Sequence, residues 1–400
     1  MRLLFISQLF DPEYSIKGLA YLKELQAQGM QIDVITTFPN YPTGKIFPGY
    51  KVRPWAVEQH GGVRIIRVWS FISHSKSKLA RALSYASFMI SSSIAALSVA
   101  RPTIIYAYHP QLTTGIVASL VKLFKKVPFI TDVQDLWPDA LAATGLQKEG
   151  FIYRVLGKVC NKVYSNADHI VVLSDGYKKA LVERGVSEEK ITVIFNWHAS
   201  EGLDVHQHST ERQARGGEFC YAGNIGAAQS LSAVIDAFSR FSEASVSLRL
   251  IGEGVEKEKL ESYAVEIGAK NVFFSGYIQA AKVGIELARA DVLVVHLRDD
   301  PLFKITIPSK TQAYLNSGKP ILMAVGGEAN QIILNAEAGV CASPENADEI
   351  AHAIQELISL REQWPVMGLA GKSFYQEKMS RAIGVKKTLS ILNRLQARTQ

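Results

Sequence analysis

The chain has 400 residues and a mass of 44.0 kDa, too long for one hydrophobic core, which stops growing near about 250–300 residues, so two domains are expected. A hydrophobic share of 48% against 20% charged residues excludes a mainly disordered chain, and three separated cysteines (Cys160, Cys220, Cys341) without a CxxC exclude a zinc ribbon or disulfide scaffold and suit a reducing compartment. The net charge of +7 is lopsided: residues 1–200 hold 23 Lys+Arg against 14 Asp+Glu and residues 201–400 hold 21 against 23, so an anionic surface or polyanion would meet the first half.

The start, MRLLFISQLFDPE, is an apolar run that meets Asp11 too early for a signal peptide and reads as a strand over Arg2–Ser7. Leu19, Leu22 and Leu25 predict a helix over Gly18–Gly29 with Gly29 as its stop. Gln31–Thr37 is the next strand. Phe38–Gly62, with four prolines and five aromatics in FPNYPTGKIFPGYKVRPW, reads as a long loop at that strand's end, where open α/β sheets place ligands. Further strands are predicted at Val63–Phe71, Thr103–His109, Pro128–Gln134, His169–Ser174 and Ile191–Trp197. Ala82–Ala100 carries no charge for 19 residues, but its six serines argue for a helix packed on a sheet or lying at an interface rather than a bilayer span.

The polar stretch Ala199–Gly217 reads as a linker. Strands then restart at Glu218–Asn224, Ser247–Gly252, Asn271–Gly276, Asp291–Leu297, Pro320–Val325 and Gly339–Ser343, with helical patterns between them. This alternation predicts an α/β chain of two halves, each built of βαβ units around a parallel sheet. The expected boundaries are 1–198, a linker at 199–217, 218–372, and a terminal segment at 373–400 with a helix over Phe374–Arg398.

Glycines cluster where the second-half strands end: Gly223-Asn224-Ile225-Gly226, Gly252-Glu253-Gly254, and Gly276-Tyr277. Either tight βα turns or close approach of a phosphate to the backbone calls for glycine there. Three such ends on one edge favour a nucleotide crevice, although the GxGxxG spacing of a dinucleotide fingerprint is missing. Pro308 and Gly318 bracket a short helix whose start presents Ser309 and Lys310 to an anion.

In this order YAGNIG, LIGEG, FFSGY, ADVLVVHL and IPSKTQAYLNSGKPIL resemble the donor-binding half of retaining GT-B glycosyltransferases of family 4. FPNYPTGK, DVQDLWPD and VIFNW resemble a subgroup that builds bacterial O-antigen and capsule sugars, including N-acetyl-L-fucosamine transferases. The resemblance spans nearly the whole chain. It implies a GT-B fold of two Rossmann-like domains facing a central cleft. The second would hold a nucleotide-sugar, usually a UDP-sugar, and the first an acceptor. The terminal helix would cross back onto the first domain.

Residue by residue, the resemblance places the donor at Gly223, Asn224, Gly226, Gly252, Gly254, Gly276, Tyr277, Ser309 and Lys310. Gln229 stands about where relatives carry one of a basic pair for the diphosphate, which leaves Lys310, Lys257 and backbone N–H groups to neutralise it. Two glutamates eight residues apart, the second of which contacts ribose in relatives, are replaced by Ile305 and Ala313; Glu328 or Gln312 is a candidate substitute. Gln134 lies nearest to where relatives place a histidine by the reacting sugar. Asp135 beside it is a candidate to bind an acceptor hydroxyl, act as a base or orient a neighbour, while Asp135 or Asp139 equally suits a helix cap. His109, ending a strand on the same edge, and Trp137 complete that side. Lys17 occupies the counterpart of a Gly-rich loop near the donor phosphates, and Asn196 a hinge at the cleft.

No metal or other cofactor is expected: His206 and His208 lack partner ligands, and GT-B enzymes stabilise the leaving diphosphate with a helix N-terminus and basic residues. Lys45, Lys51, Arg53, Arg64, Arg67, Lys76, Lys78 and Arg81, interleaved with aromatics, suit an anionic membrane surface, and no nucleic-acid module is visible. The expected function is retaining transfer of an N-acetylated amino sugar from a UDP-sugar to a polyprenyl-diphosphate-linked saccharide, on the inner face of a bacterial cytoplasmic membrane. The rivals are an idle relative acting as a membrane-bound scaffold and a sugar-nucleotide epimerase of the same architecture.

Overall fold

The computed structural model describes residues 1–73, 77–143, 146–148, 150–198, 217–242 and 246–398. Internal contacts divide the chain into Met1–Phe195 with Arg381–Gln400, and Asn196–Ser380. The divisions thus fall at 195/196 and 380/381; the linker predicted at 199–217 lies, but for Gly217, outside the described residues.

The first unit is an eight-stranded sheet of β1 (Arg2–Ile6), β2 (Gln31–Thr37), β3 (Trp55–His60), β4 (Val63–Val68), β5 (Ile104–Ala107), β6 (Phe129–Val133), β7 (His169–Val172) and β8 (Ile191–Val193), in the order β3-β4-β2-β1-β5-β6-β7-β8. Its central strands are apolar on both faces, as a sheet covered by helices requires: Leu3–Ile6 lie in register with Ile104–Ala107 and are almost fully buried. Each such side chain contributes about 1.5–3 kcal/mol on burial. The one charge within β2, Asp33, is paired across strands by Arg2 at 2.9 Å and Arg64 at 2.7 Å.

The sequence reading missed β3. The second half of the predicted loop is an edge strand antiparallel to β4, joined to it by Gly61-Gly62, both at positive φ. A two-glycine turn between two runs is a hairpin signal, but the face of β3 turned from solvent, with Ala56 and Glu58, lacks an apolar stripe to announce it.

Helices α1 (Leu19–Gln26), α2 (Lys78–Ser98), α3 (Gln111–Lys125), α4 (Asp139–Ala143), α5 (Phe151–Asn166) and α6 (Asp175–Glu183) follow their strands in this unit. α2 buries Phe88, Ser92, Ala95 and Ala96 and leaves Leu79, Leu83, Ile90 and Ile94 exposed on one face. Ser87, Ser91, Ser92, Ser93 and Ser98 return their hydroxyls to the preceding turn, Ser92 to Phe88 O at 2.5 Å and Ser93 to Met89 O at 2.7 Å, which lets them sit in a helix. Among the described residues no helix is long and apolar enough to cross a membrane.

The second unit is a six-stranded, wholly parallel sheet of β9 (Gly217–Ala222), β10 (Val246–Ile251), β11 (Val272–Gly276), β12 (Val292–His296), β13 (Ile321–Ala324) and β14 (Gly339–Cys341), in the order β11-β10-β9-β12-β13-β14. Its helices are α7 (Ser232–Ser239), α8 (Lys257–Glu266), α9 (Ala280–Arg289), α10 (Pro301–Lys304), α11 (Ser309–Ser317), α12 (Glu328–Asn335), α13 (Ala347–Ser359) and α14 (Trp364–Phe374). Both sheets are Rossmann-like, and in each the strand order reverses beside the first strand, at β1/β5 and at β9/β12.

The predicted helix over Phe374–Arg398 is in fact interrupted. A wide turn over Tyr375–Met379 ends at Ser380, whose backbone is extended (ψ 156°), and α15 (Arg381–Ala397) starts afresh. Neither glycine nor proline marks the break in sequence. α15 belongs to the first unit, where Tyr21 donates to Thr388 Oγ1 at 2.8 Å and Lys387 to Val193 O at 3.1 Å.

Candidate functional site

In the second unit the loops leaving β9, β10 and β11 lie against one another at the carboxyl edge. A Cβ at Gly252 (φ +143°) would stand 1.8 Å from Gly223 O, and one at Gly254 would stand 2.1 Å from Ile225 O. The N–H groups of Gly223 and Ile225 donate to Ile251 O and Glu253 O at 2.9 Å each, and that of Gly226 donates to the Gln229 side chain at 3.2 Å. Those glycines thus permit loop-on-loop packing, and these three N–H groups are paired within the protein. Gln229 is a loop brace that also accepts from Asn224 at 3.0 Å.

Lys310 lies in the first turn of α11, beside the loop leaving β9. Its ammonium lies 4.6 Å from the centre of the Tyr221 ring, and a Cβ at Gly223 (φ +148°) would stand 2.4 Å from its Cε, so only glycine admits it there. No acceptor or carboxylate among the described residues pairs with it. Burial alone lowers its pKa to about 8. Lys257, by contrast, is engaged by Glu253 at 2.7 Å and Glu261 at 3.9 Å, hydrogen bonding to Glu253 raising its pKa. Ser309 and Tyr277 are exposed, and Gly276 sits at positive φ beside Glu253. Ile305 and Ala313 are half-buried; Gln312 is buried, and Glu328 is half-buried behind Gly326-Gly327.

In the first unit the strand ends at β1, β2 and β5, together with the start of α2, enclose a cavity of about 860 Å³ lined by Gln8, Tyr14, Tyr41, Arg81, Tyr85 and His109 among others. Sequence reasoning named His109 and Arg81 of these, and the Phe38–Gly62 loop that carries Tyr41. These residues come from the loops after β1, β2 and β5 and from α2, far apart in sequence, and the topology assembles them. Glu13 ties two of the loops together: its buried carboxylate accepts the N–H groups of Asn40 at 2.5 Å and Tyr41 at 2.6 Å, and burial raises its pKa.

Burial lowers the pKa of His109, with Asp135 and Asp132 pulling it back up. Desolvation raises that of Asp135 against the pull of His109; the Asp135 side chain reaches solvent on one side while protein surrounds it on the others. Gln134 turns inward and donates to Asp132 Oδ1 at 2.6 Å. Trp137 is half-buried, its ring 6.2 Å from that of Tyr85, and its carbonyl accepts from Arg184 at 2.9 Å. Asp139 is engaged by Arg184 and by Tyr153 at 2.8 Å. Asn196 is half-buried at the start of the second unit.

Two expectations fail on burial. Lys17 is fully buried and ion-paired with Asp132 at the end of β6, so it offers no charge to a phosphate at the surface. Arg67, counted with the surface cations, is buried; it donates to Thr37 O at 3.0 Å, Asp11 O at 2.8 Å and Glu58 at 2.7 Å. Lys45, Lys51, Arg53 and Arg81 remain exposed, and Lys76 lies outside the described residues. Among the described residues no group of three or more His, Cys, Asp or Glu is arranged to hold a metal; His206 and His208 are outside them.

Comparison with known proteins agrees with this architecture. Residues 19–197 match the glycosyl transferase 4-like domain, and residues 206–373 match glycosyl transferases group 1. The probable glycosyltransferase WbjE of Pseudomonas aeruginosa is 24% identical over 269 residues, which span 64% of this chain and 65% of that protein, a little under two thirds of each. The putative colanic acid biosynthesis glycosyl transferase WcaI of Escherichia coli K12 is 25% identical over 370 residues, 84% of this chain and 86% of that protein. Among solved structures, sucrose-phosphate synthase from Thermosynechococcus elongatus superposes with a TM-score of 0.71 at 16% identity over 99% of both chains. Anabaena Alr3699/HepE in complex with UDP-glucose gives 0.66 at 17% over 98% of this chain and 99% of that one. The chain is a glycosyltransferase of the GT-B fold, built from a glycosyl transferase 4-like domain followed by a group 1 domain.

Proposed function

We propose that this enzyme moves a sugar, an N-acetylated amino sugar, from a UDP-sugar to a polyprenyl-diphosphate-linked saccharide, with retention at the anomeric carbon and without a metal, in O-antigen, capsule or exopolysaccharide synthesis. The observation that carries the reading is Lys310: a half-buried ammonium, unpaired among the described residues, at the carboxyl edge of a Rossmann-like sheet. An anion completes such a site, and a departing diphosphate gains negative charge as the bond from the anomeric carbon to its oxygen breaks. The UDP-glucose complex of a structural neighbour and the colanic acid role named for a relative support the donor base and the pathway class.

An acceptor hydroxyl forms the new bond to the anomeric carbon. His109, kept largely neutral by burial, takes the hydrogen bond of that hydroxyl in the aromatic cavity, with Asp135 steadying any positive charge the ring acquires. The lipid part of the acceptor lies in the inner leaflet of the cytoplasmic membrane, on which the enzyme rests peripherally through the exposed apolar face of α2 and neighbouring cations such as Arg81.

The test is UDP release from a panel of UDP-sugars, with and without a polyprenyl-diphosphate-linked sugar, metal chelated, on the wild type and Lys310→Ala. Acceptor-dependent release that collapses in the variant is expected. Binding of no UDP-sugar, or full activity of Lys310→Ala, overturns the reading.

A further inference from the structure

The loop leaving β9 is also held from behind. The backbone carbonyl of Gln229 accepts from Nδ1 of His296, the last residue of β12, at 2.6 Å, while Nε2 of the same ring accepts the N–H of Glu345 at 3.0 Å. These partners define a neutral ring with its hydrogen on Nδ1. Burial of His296 favours that neutral form. Glu345 completes a clasp, its carboxylate accepting Ser230 Oγ and the Asp299 N–H, each at 2.7 Å. Ser230 and Glu345 both hold positive φ, 44° and 58°, where non-glycine residues are uncommon, so tertiary bonds maintain these conformations. A second tie runs from the N–H of Arg298 to Ala228 O at 3.0 Å. β9 and β12 are the neighbours at which strand order reverses, so the clasp spans the place where sheets of this type bind ligands.

We infer that His296, with Glu345, is a positioning residue that sets the loop from Asn224 to Ser230 in the form that receives the diphosphate end of the donor. The inference rests on the donor reading of this edge. It adds a role that none of the glycines or lysines there performs: one ring bridges two loops because it has one donor and one acceptor on opposite sides. Leucine of similar bulk leaves the Gln229 carbonyl and the Glu345 N–H unsatisfied, whereas the amide of glutamine offers one donor and one acceptor.

The experiment titrates UDP into the full chain by calorimetry for the wild type, His296→Leu, His296→Gln and Ser230→Ala, with hydrogen exchange followed in parallel. His296→Leu should weaken UDP about tenfold, and His296→Gln should stay within about threefold of the wild type. Exchange over residues 223–230 should quicken in the leucine variant while β10 and β13 keep their protection. If the leucine variant fails to fold, Ser230→Ala, which removes one hydroxyl of the clasp, should still weaken UDP about threefold. Unchanged UDP affinity in a folded His296→Leu, or a loss matched by uniform loss of protection across the unit, overturns the positioning role. A wild type that does not bind UDP overturns the donor reading, and this inference with it.

Discussion

Asp132→Ala strikes the most concentrated set of buried polar contacts in the first unit. The Asp132 carboxylate, fully buried, meets the Lys17 ammonium, the Tyr106 hydroxyl at 2.5 Å and the Gln134 amide at 2.6 Å. Removing it takes this carboxylate from the buried Lys17 ammonium, which also lies 5.5 Å from the centre of the Tyr108 ring. Loss of one partner of a buried pair costs about 3–5 kcal/mol. Lys17→Met is the milder change, about 1–3 kcal/mol, because the carboxylate keeps two hydrogen-bond donors. The double variant Lys17→Met/Asp132→Leu removes both charges and should be more stable than Asp132→Ala alone. Two units rule out a single two-state analysis, so the assay is urea titration read by hydrogen exchange on β5 and β6 against β10 and β12. A double variant as unstable as the sum of the singles would refute the argument, as would equal costs for the two single changes.

Gly223→Ala should weaken UDP about tenfold, because its Cβ would stand 2.4 Å from Lys310 Cε at a φ of +148°; calorimetry against a thermal melt separates this from a loss of about 1–3 kcal/mol in stability. Lys310 must be protonated to attract the diphosphate and has a pKa of about 8, so UDP affinity should fall as pH rises through about 8, with proton uptake on binding in that range. Titrations in buffers of different ionisation enthalpy measure that uptake, and affinity flat from pH 7 to 9 contradicts it. Ile90→Ser/Ile94→Ser, on the exposed face of α2, should reduce sedimentation with anionic vesicles; undiminished binding would locate the membrane contact elsewhere. Arg67→Lys cannot reach Thr37 O, Asp11 O and Glu58 together and should cost about 2–3 kcal/mol, with acceptor KM rising ahead of any change in kcat, as steady-state kinetics would show.

The alternation of β-branched runs and amphipathic helices made the parallel strands of both sheets legible, because strands buried on two faces must be apolar throughout. β3 escaped because an edge strand exposed on one side needs no such pattern, and the break at Ser380 escaped because no glycine or proline enforces it. The short helix that carries Lys310 was legible from Pro308 and Gly318 bracketing it. Lys17 and Arg67 read as available cations because formal charge is local, whereas their burial and pairing are not: Asp132 lies 115 residues from Lys17. The pairing of Lys257 with Glu253 and Glu261, four residues away on either side, was open to sequence reading. His296 showed no sign in sequence, since its partners, Gln229 and Glu345, stand 67 and 49 residues away.

The sequence by itself therefore determined most of the elements and the two-sheet class, because periodicity and turn chemistry act over a few residues. Only the tertiary structure decided which charges are free to meet a ligand, which glycines exist for packing, and which loops make the cavity around His109. Those outcomes depend on distances between segments remote in the chain, and parallel crossovers bring strand ends together without leaving a local mark.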